Sequence, residues 1–374
     1  MIALPWIALW TFLTGQGDVI RGRLFVQAHI ARYGVATNSS LQDRQHREDV
    51  SGRLGFGGVG LPFEWFRIEA VRGRRSWART DSIVCELTGR GLRAYGLLAF
   101  SPRWAVPPEI APRPRSEAHR PVVDGSSARG DTAFARFAAE AARRYRGRID
   151  RWEVWNEENH PAFWFDVRNG TNAGPSAPDY ATLFVLTRDS ILAAVPGAEV
   201  AVGGLASFSG HVRDVEDELN PGHQLRAEPS HLYLRALLKL GVRPAAVAIH
   251  PYSVVPPGAR VKGEGAPIFP TQVVDSVFDV LDAAGLKTTK AWITEWGVDA
   301  ARRLSQAEVD SWYRAGLLYL LCHPRISFVT LYTLTDPDPH THFGLLSDEG
   351  IETPDGHAVR VLLAAWPGCS AGTS

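Results

Sequence analysis

The sequence predicts an α/β fold, a (β/α)8 TIM barrel forming a single domain with long βα loops. Short β-branched runs alternate with longer amphipathic ones along the 374 residues, which implies parallel strands joined by helical crossovers. Eight such units fit the length, because α/β barrels commonly run to about 250 residues or more as one unit. The rival doubly wound sheet would place a glycine-rich phosphate turn between an early strand and its helix. The glycine-rich run LGFGGVG, 54–60, instead precedes a strand, so it carries no such signal.

In chain order the candidate strands are LFVQAHI (24–30, running on through YGVATN), FEWFRIEAV (63–71), LRAYGLLAF (92–100) and IDRWEVW (149–155). EVAVGGLAS (199–207), AAVAIHPY (245–252), KAWITEW (290–296) and ISFVTLYTL (326–334) complete the set. Helical periodicity appears in 131–147, where Phe134, Phe137, Ala138, Ala141 and Tyr145 share one face. The 271–285 pattern stops on Gly285, and 305–322 opens with Ser305 and Glu308 at capping-box spacing. A last helix over 357–366 closes the chain. The barrel is expected over 25–370, after an apolar segment at 1–24. Pro- and Gly-rich stretches at 107–121 and 254–270 read as long loops following the third and sixth strands, on the face where barrels carry their sites.

Composition narrows the function classes. Charged residues make up 21% of the chain and the formal net charge is +0, so neither nucleic acid nor an anionic membrane is the expected partner. Of 40 basic residues only Lys239, Lys262, Lys287 and Lys290 are lysine, a pattern of bacterial high-GC coding rather than of an arginine-rich surface. The apolar amino terminus is too short and interrupted to span a membrane; it reads as an export-signal remnant or as a start placed upstream of one. Secreted or periplasmic and cytoplasmic locations both stay open, as does oligomeric state. Three cysteines show no metal-type spacing, and Cys85 and Cys322, in apolar helical stretches, read as small core residues.

The chemistry-bearing residues fall at strand ends. Asn156-Glu157 follows the fourth strand, His250-Pro251-Tyr252 the sixth, and Thr294-Glu295-Trp296 ends the seventh. Carboxyls on strands four and seven face one another across a small barrel. One held protonated protonates a leaving oxygen, while the other, ionised, attacks a carbon.

WNEENH (155–160) resembles the Trp-Asn-Glu motif of glycoside hydrolase clan A. WITEWG (292–297) is similar to that clan's nucleophile strand and IHPY (249–252) to its sixth-strand motif. WARTDSIVCELTGRGLRAYGLLAFSPRWA (77–105) resembles the second helix and third strand of family 39 and related family 5-like enzymes. FGLLSDEG (343–350) is similar to the segment after their eighth strand. The resemblance implies a retaining O-glycoside hydrolase acting on a β-linked sugar without cofactor or metal. In it Glu157 is the general acid/base and Glu295 the nucleophile. It further implies that Asn156 binds the sugar 2-hydroxyl, that Tyr252 hydrogen-bonds Glu295 and that His250 lines the site.

The clan also carries an arginine at the end of the second strand. Ungapped counting back from Trp77 lands near Gly60 or Phe63, and with FEWFRIE as the strand Arg67 takes the place. Trp296, Trp104 and Trp164 are candidate sugar-stacking rings, with core packing as the alternative. Glu158 and Asp299 read as neighbouring loop carboxyls, Glu153 as a buried polar residue inside strand four, and His340 and His342 as exposed loop residues. The alternative function is a carbohydrate-binding barrel with weakened catalysis. The sugar, its linkage, and hydrolysis against transglycosylation are not legible in the chain.

Overall fold

Near-continuous apolar runs suit a sheet buried on both faces, and here the strands close on themselves. The computed structural model describes residues 22–27, 56–108, 111–112, 119, 121, 131–164, 167–168, 171–172, 174–207, 210–212, 225–252, 270–298, 304–335, 342–347, 350–366 and 368–369. Eight parallel strands form the barrel: β1 Leu24–Gln27, β2 Gly58–Glu64, β3 Arg93–Ala99, β4 Arg151–Asn156, β5 Glu199–Ala206, β6 Ala246–His250, β7 Lys290–Trp296 and β8 Ile326–Leu331. They pair in chain order and β8 returns to β1, with Phe25 opposite Thr330 and Gly58.

Seven described helices wrap it: α1 Ala78–Gly89, α2 Asp131–Arg144, α3 Ala177–Ala194, α4 Ser230–Lys239, α5 Pro270–Ala283, α6 Gln306–Cys322 and α7 Pro354–Ala364. The fold is the expected TIM barrel. The predicted stripe of α2 is buried throughout: Phe134, Phe137, Ala138, Ala141 and the following Tyr145 all have no exposed surface. Ser305 caps α6 in a capping box with Glu308, an arrangement that contributes about 1 kcal/mol. The 107–121 loop is described only in part, and 1–21, the YGVATN stretch and 253–269 lie outside the described residues.

Two expectations need correction. The second strand is Gly58–Glu64, so the glycine-rich run enters the strand at Gly58, and FEWFRIEAV breaks after Glu64 into a helical turn at Trp65–Ile68. Gly58 is needed there because a Cβ would lie 2.2 Å from the Phe25 ring. The cysteine assignments also change. Cys322, at the end of α6, bonds to Cys369 beyond α7, whereas Cys85 is exposed on the outer face of α1. Helical periodicity cannot reveal a partner 47 residues away.

The barrel interior is filled in layers. Phe25, Tyr95, Ala201, Ala246, Ala248, Trp292 and Phe328 form its apolar lower part, with aromatic rings on β1, β3, β7 and β8 opposite alanines on β5 and β6. Large residues facing small ones fill the taper. Above this plug the interior side chains turn polar: Glu153, Thr294 and His250 are each 1% exposed.

The disulfide closes a long loop around α7, worth roughly 4 kcal/mol on a chain-entropy estimate. Cys369→Ser is therefore expected to lower Tm by about 5 °C for a chain of this size. Protein folded under oxidising conditions and then unfolded without reductant should show one titratable thiol, Cys85. Three thiols and an unchanged Tm would remove the bridge.

Candidate active site

Alternation along a strand has period two, and the site is built where that alternation breaks. On β4, Glu153 faces the interior polar layer. Trp155 adopts φ 72° and packs outward against Phe134 and Trp164, its indole N–H donating to the Phe163 carbonyl at 2.8 Å. Glu157 follows at φ 50°, with its backbone N–H on the Gly204 carbonyl. Two non-glycine residues in the left-handed region within three positions cost on the order of 1–3 kcal/mol each, and such strain gathers at functional sites. On β7 the pairing with β8 shifts register between Ile293 and Trp296. Thr294 and Glu295 therefore both reach the site, while Trp296 turns outward. A shift of this kind re-aims a side chain beside a site.

The result is a convergence of three strand ends. His250 Nδ1 lies 2.9 Å from Glu157 Oε1 and 3.6 Å from Glu295 Oε2. Donor atoms of Glu157, His250 and Glu295 all fall within 4.8 Å of one another, so the two carboxyls meet over the barrel mouth. The Tyr252 hydroxyl donates to Glu295 Oε2 at 3.3 Å.

Burial would lower the His250 pKa, but Glu295 and then Glu157, which also shares its hydrogen bond, push it up to about 9. Burial raises Glu153 to about 8, with the His250 charge working against the shift. Burial likewise raises Glu158 to about 8. That side chain is fully enclosed, and the nearby Tyr180 hydroxyl directs its proton to the Val154 carbonyl at 2.7 Å.

Several expected site residues take other places. Trp296 has no exposed surface and packs against Tyr313 and Gly316, where a Cβ would lie 2.3 Å from its ring. Trp164 is 1% exposed between Trp155 and Tyr180. Both rings are enclosed by protein, which leaves no face for a sugar. Trp104 packs edge-on to Trp65 and donates to the Glu69 carbonyl at 2.7 Å, so it braces the turn after β2. Arg67 lies 2.6 Å from Glu64, the last residue of β2, which holds its guanidinium at that strand end. His250, at 1% exposure, lies against both carboxyls. Asn156 ends β4 opposite Gly204 and is buried. His160 turns its ring back to the Ala162 N–H, and His342 is exposed; Asp299 and His340 lie outside the described residues.

The sequence reading missed an aromatic cluster. Tyr252, Tyr332 and Phe343, all half-buried, pack edge-to-face at centroid distances of 5.7–6.4 Å beside Glu295. It also missed the paired glycines of β5. A Cβ on Gly203 would lie 2.4 Å from Glu158 Oε2, and one on Gly204 2.0 Å from His250 Nε2 and 2.7 Å from Glu153 Oε1. Adjacent glycines in a strand signal close approach on both faces, and here each makes room for an acid.

No family model and no curated protein matches the chain. Solved structures do. A family 39 glycoside hydrolase from the gut symbiont Bacteroides cellulosilyticus WH2 matches 92% of this chain at TM-score 0.64 and 19% identity. A monomeric beta-xylosidase from Caulobacter crescentus CB15 matches 91% of it at 0.60 and 17%, covering 71% of that chain. Xylanase 10B from Thermotoga petrophila RKU-1 matches 94% at 0.55 and 13%, covering 96% of that chain. This chain spans 64% of the length of the first of them. At such identities the likeness shows the fold, and the neighbours fall in the glycosidase clan that the sequence motifs resemble.

The buried groups set a pH dependence. His250, Glu153 and Glu158 all have folded pKa values above their unfolded ones, so between about pH 4.5 and 9 the folded chain holds protons that the unfolded chain has released. Stabilisation by the charged imidazole is complete below about 6.5 and lost through 9, and the penalty on the two acids grows between 4.5 and 8. Thermal melts should therefore show Tm falling steadily from pH 5 to 9, with Glu158→Gln flattening the lower part of that slope. A Tm that rises over this range would contradict the assignment.

Proposed function

We propose that the chain is a retaining O-glycoside hydrolase that cleaves a β-linked glycoside or polysaccharide by double displacement. The observation that carries this reading is the approach of the Glu157 and Glu295 carboxyl oxygens to within 4.8 Å, with one imidazole between them. Retaining enzymes hold their carboxyls about 5–5.5 Å apart, and inverting ones leave a wider gap for water. The first step of such a displacement requires a proton on one of the two carboxyls and a charge on the other.

In that step Glu295 attacks the anomeric carbon. The bond from that carbon to the leaving oxygen breaks as Glu157 gives the oxygen its proton, leaving a glycosyl ester on Glu295 and an ionised Glu157. Water then passes a proton to Glu157 and adds its oxygen to the anomeric carbon, which frees Glu295. Tyr252 donates to Glu295 and so favours its ionised form before attack. Asn156, next to the acid in the chain, binds the sugar 2-hydroxyl in this reading. Tyr252, Tyr332 and Phe343 offer flat faces to the sugar's C–H surface in place of the tryptophans. The Cys322–Cys369 bridge supports a working place in an oxidising compartment, where polysaccharide is met. Because two of the neighbours are named as a xylosidase and a xylanase, β-xylosides are the first substrates to try.

Glu157→Gln should lose about 10²–10⁴-fold in turnover on substrates with poor leaving groups and far less on dinitrophenyl glycosides, which need no acid. Glu295→Gln should lose both. A 2-fluoro glycoside with a good leaving group should label Glu295, detected by peptide mass. Equal losses on both substrate types would refute the role of Glu157. Sugar binding with no turnover in the wild-type protein would favour a binding barrel instead, a reading to which the capture of Arg67 by Glu64 also points.

A further inference from the structure

Directly beneath the two carboxyls runs a buried chain of hydrogen bonds that the double displacement does not itself require. The Thr294 hydroxyl donates to Glu153 Oε1 at 3.1 Å, and His250 Nε2 lies 3.1 Å from the same hydroxyl. On the other side of the ring, Nδ1 meets Glu157 at 2.9 Å. Three strands contribute, β4, β6 and β7, and a fourth makes room, since any side chain at Gly204 would strike both His250 and Glu153. A carboxyl inside a barrel costs several kcal/mol to desolvate if charged, and apolar residues would fill the position more stably. Glu153 nevertheless occupies it, 1% exposed.

We propose that Glu153 and Thr294 are positioning residues for the two rim carboxyls: through the Thr294 hydroxyl the buried Glu153 orients His250 and keeps both its nitrogens protonated, so that Nδ1–H stays between Glu157 and Glu295. For its catalytic consequence this rests on the double-displacement reading; the state of the imidazole does not.

The direction of donation supports it. A Thr hydroxyl has one proton, and here it goes to Glu153. Its oxygen then accepts from His250, which requires a proton on Nε2. Glu157 Oε1 in turn accepts from Nδ1–H, which leaves the acid's proton to the other oxygen, Oε2. The same arrangement answers a charge problem. Forming the glycosyl ester removes the negative charge from Glu295, and proton donation creates one on Glu157. A cation held 3.6 Å from the first and 2.9 Å from the second faces the charge in both states without moving. The titratable groups around the ring are Glu157, Glu153 and Glu158 from β4 and its end, Glu295 from β7, and Tyr252 beyond β6. From β3, Tyr95 donates to the Thr294 carbonyl at 3.0 Å. The carboxyls together outweigh burial in holding the imidazole charged.

The test needs Glu153→Gln, Thr294→Val and Thr294→Ser. Nitrogen-15 NMR of the imidazoles, with the His250 signals assigned by comparison with His250→Gln, follows this ring without substrate. In the wild-type protein both nitrogens should be protonated at pH 7. Glu153, raised to about 8, has ionised where the imidazole, raised to about 9, loses its proton, so Glu153→Gln, which keeps an acceptor for Thr294 but cannot ionise, should lower that midpoint by about one pH unit or more. Thr294→Val should do the same, and Thr294→Ser should restore it. On an aryl glycoside, kcat in the first two variants should fall about tenfold or more with KM within about twofold, and the alkaline limb of kcat/KM should move to lower pH. An unmoved midpoint and an unmoved limb in both variants, with rate losses that only track Tm, would overturn the proposal. A shifted midpoint in a protein that hydrolyses nothing would uphold the network and refute the glycosidase reading.

Discussion

A buried imidazole within hydrogen-bonding reach of one carboxyl and close to a second is the interaction around which the upper half of this barrel is arranged. His250 can occupy that place only because Gly204 carries no side chain, because Thr294 and Glu295 both turn inward past a register shift, and because Glu157 takes a left-handed backbone. Each of these is a local departure from ideal strand geometry. The closed, aromatic-filled lower barrel supplies the rigidity that keeps the departures in place.

The same geometry orders the electrostatics. Three acids, Glu153, Glu157 and Glu295, surround one base in a space that water barely enters. Such a cluster cannot carry a full set of negative charges, so burial holds Glu153 toward its neutral form while the imidazole is held charged. A preorganised cation of this kind acts without reorganising during reaction, which is where fixed charges contribute most to rate. The cost appears in stability, since the folded state must retain protons that water would otherwise take.

Much of this was legible in the chain. Alternating strands and helices suffice for the barrel, and the polar runs at the ends of the fourth, sixth and seventh strands point to the residues that the structure brings together. What period-two reasoning could not foresee is where the period fails. Trp155 and Trp296 face outward where a positive φ and a register shift redirect the strands, and neither has a one-residue signature. Arg67 lies on the helical turn into which β2 passes after Glu64, not on the strand itself. The Cys322–Cys369 pair joins segments that only the packing of the last two helices brings close. The paired glycines of β5 were visible but read as ordinary strand residues; their meaning depends on what approaches from either side. Tyr332 and Phe343 come from separate segments after β8, and no local pattern joins them to Tyr252.

The central claim is that Glu157 and Glu295 act in succession on one anomeric carbon from opposite faces. Its most direct measurement is the stereochemistry of the first product released from a β-glycoside, followed by proton NMR before mutarotation. Two displacements return the β-anomer first, and the α-form grows in only later as the sugar equilibrates. An α-anomer appearing first would mean a single displacement by water, and the paired carboxyls would have to be reassigned.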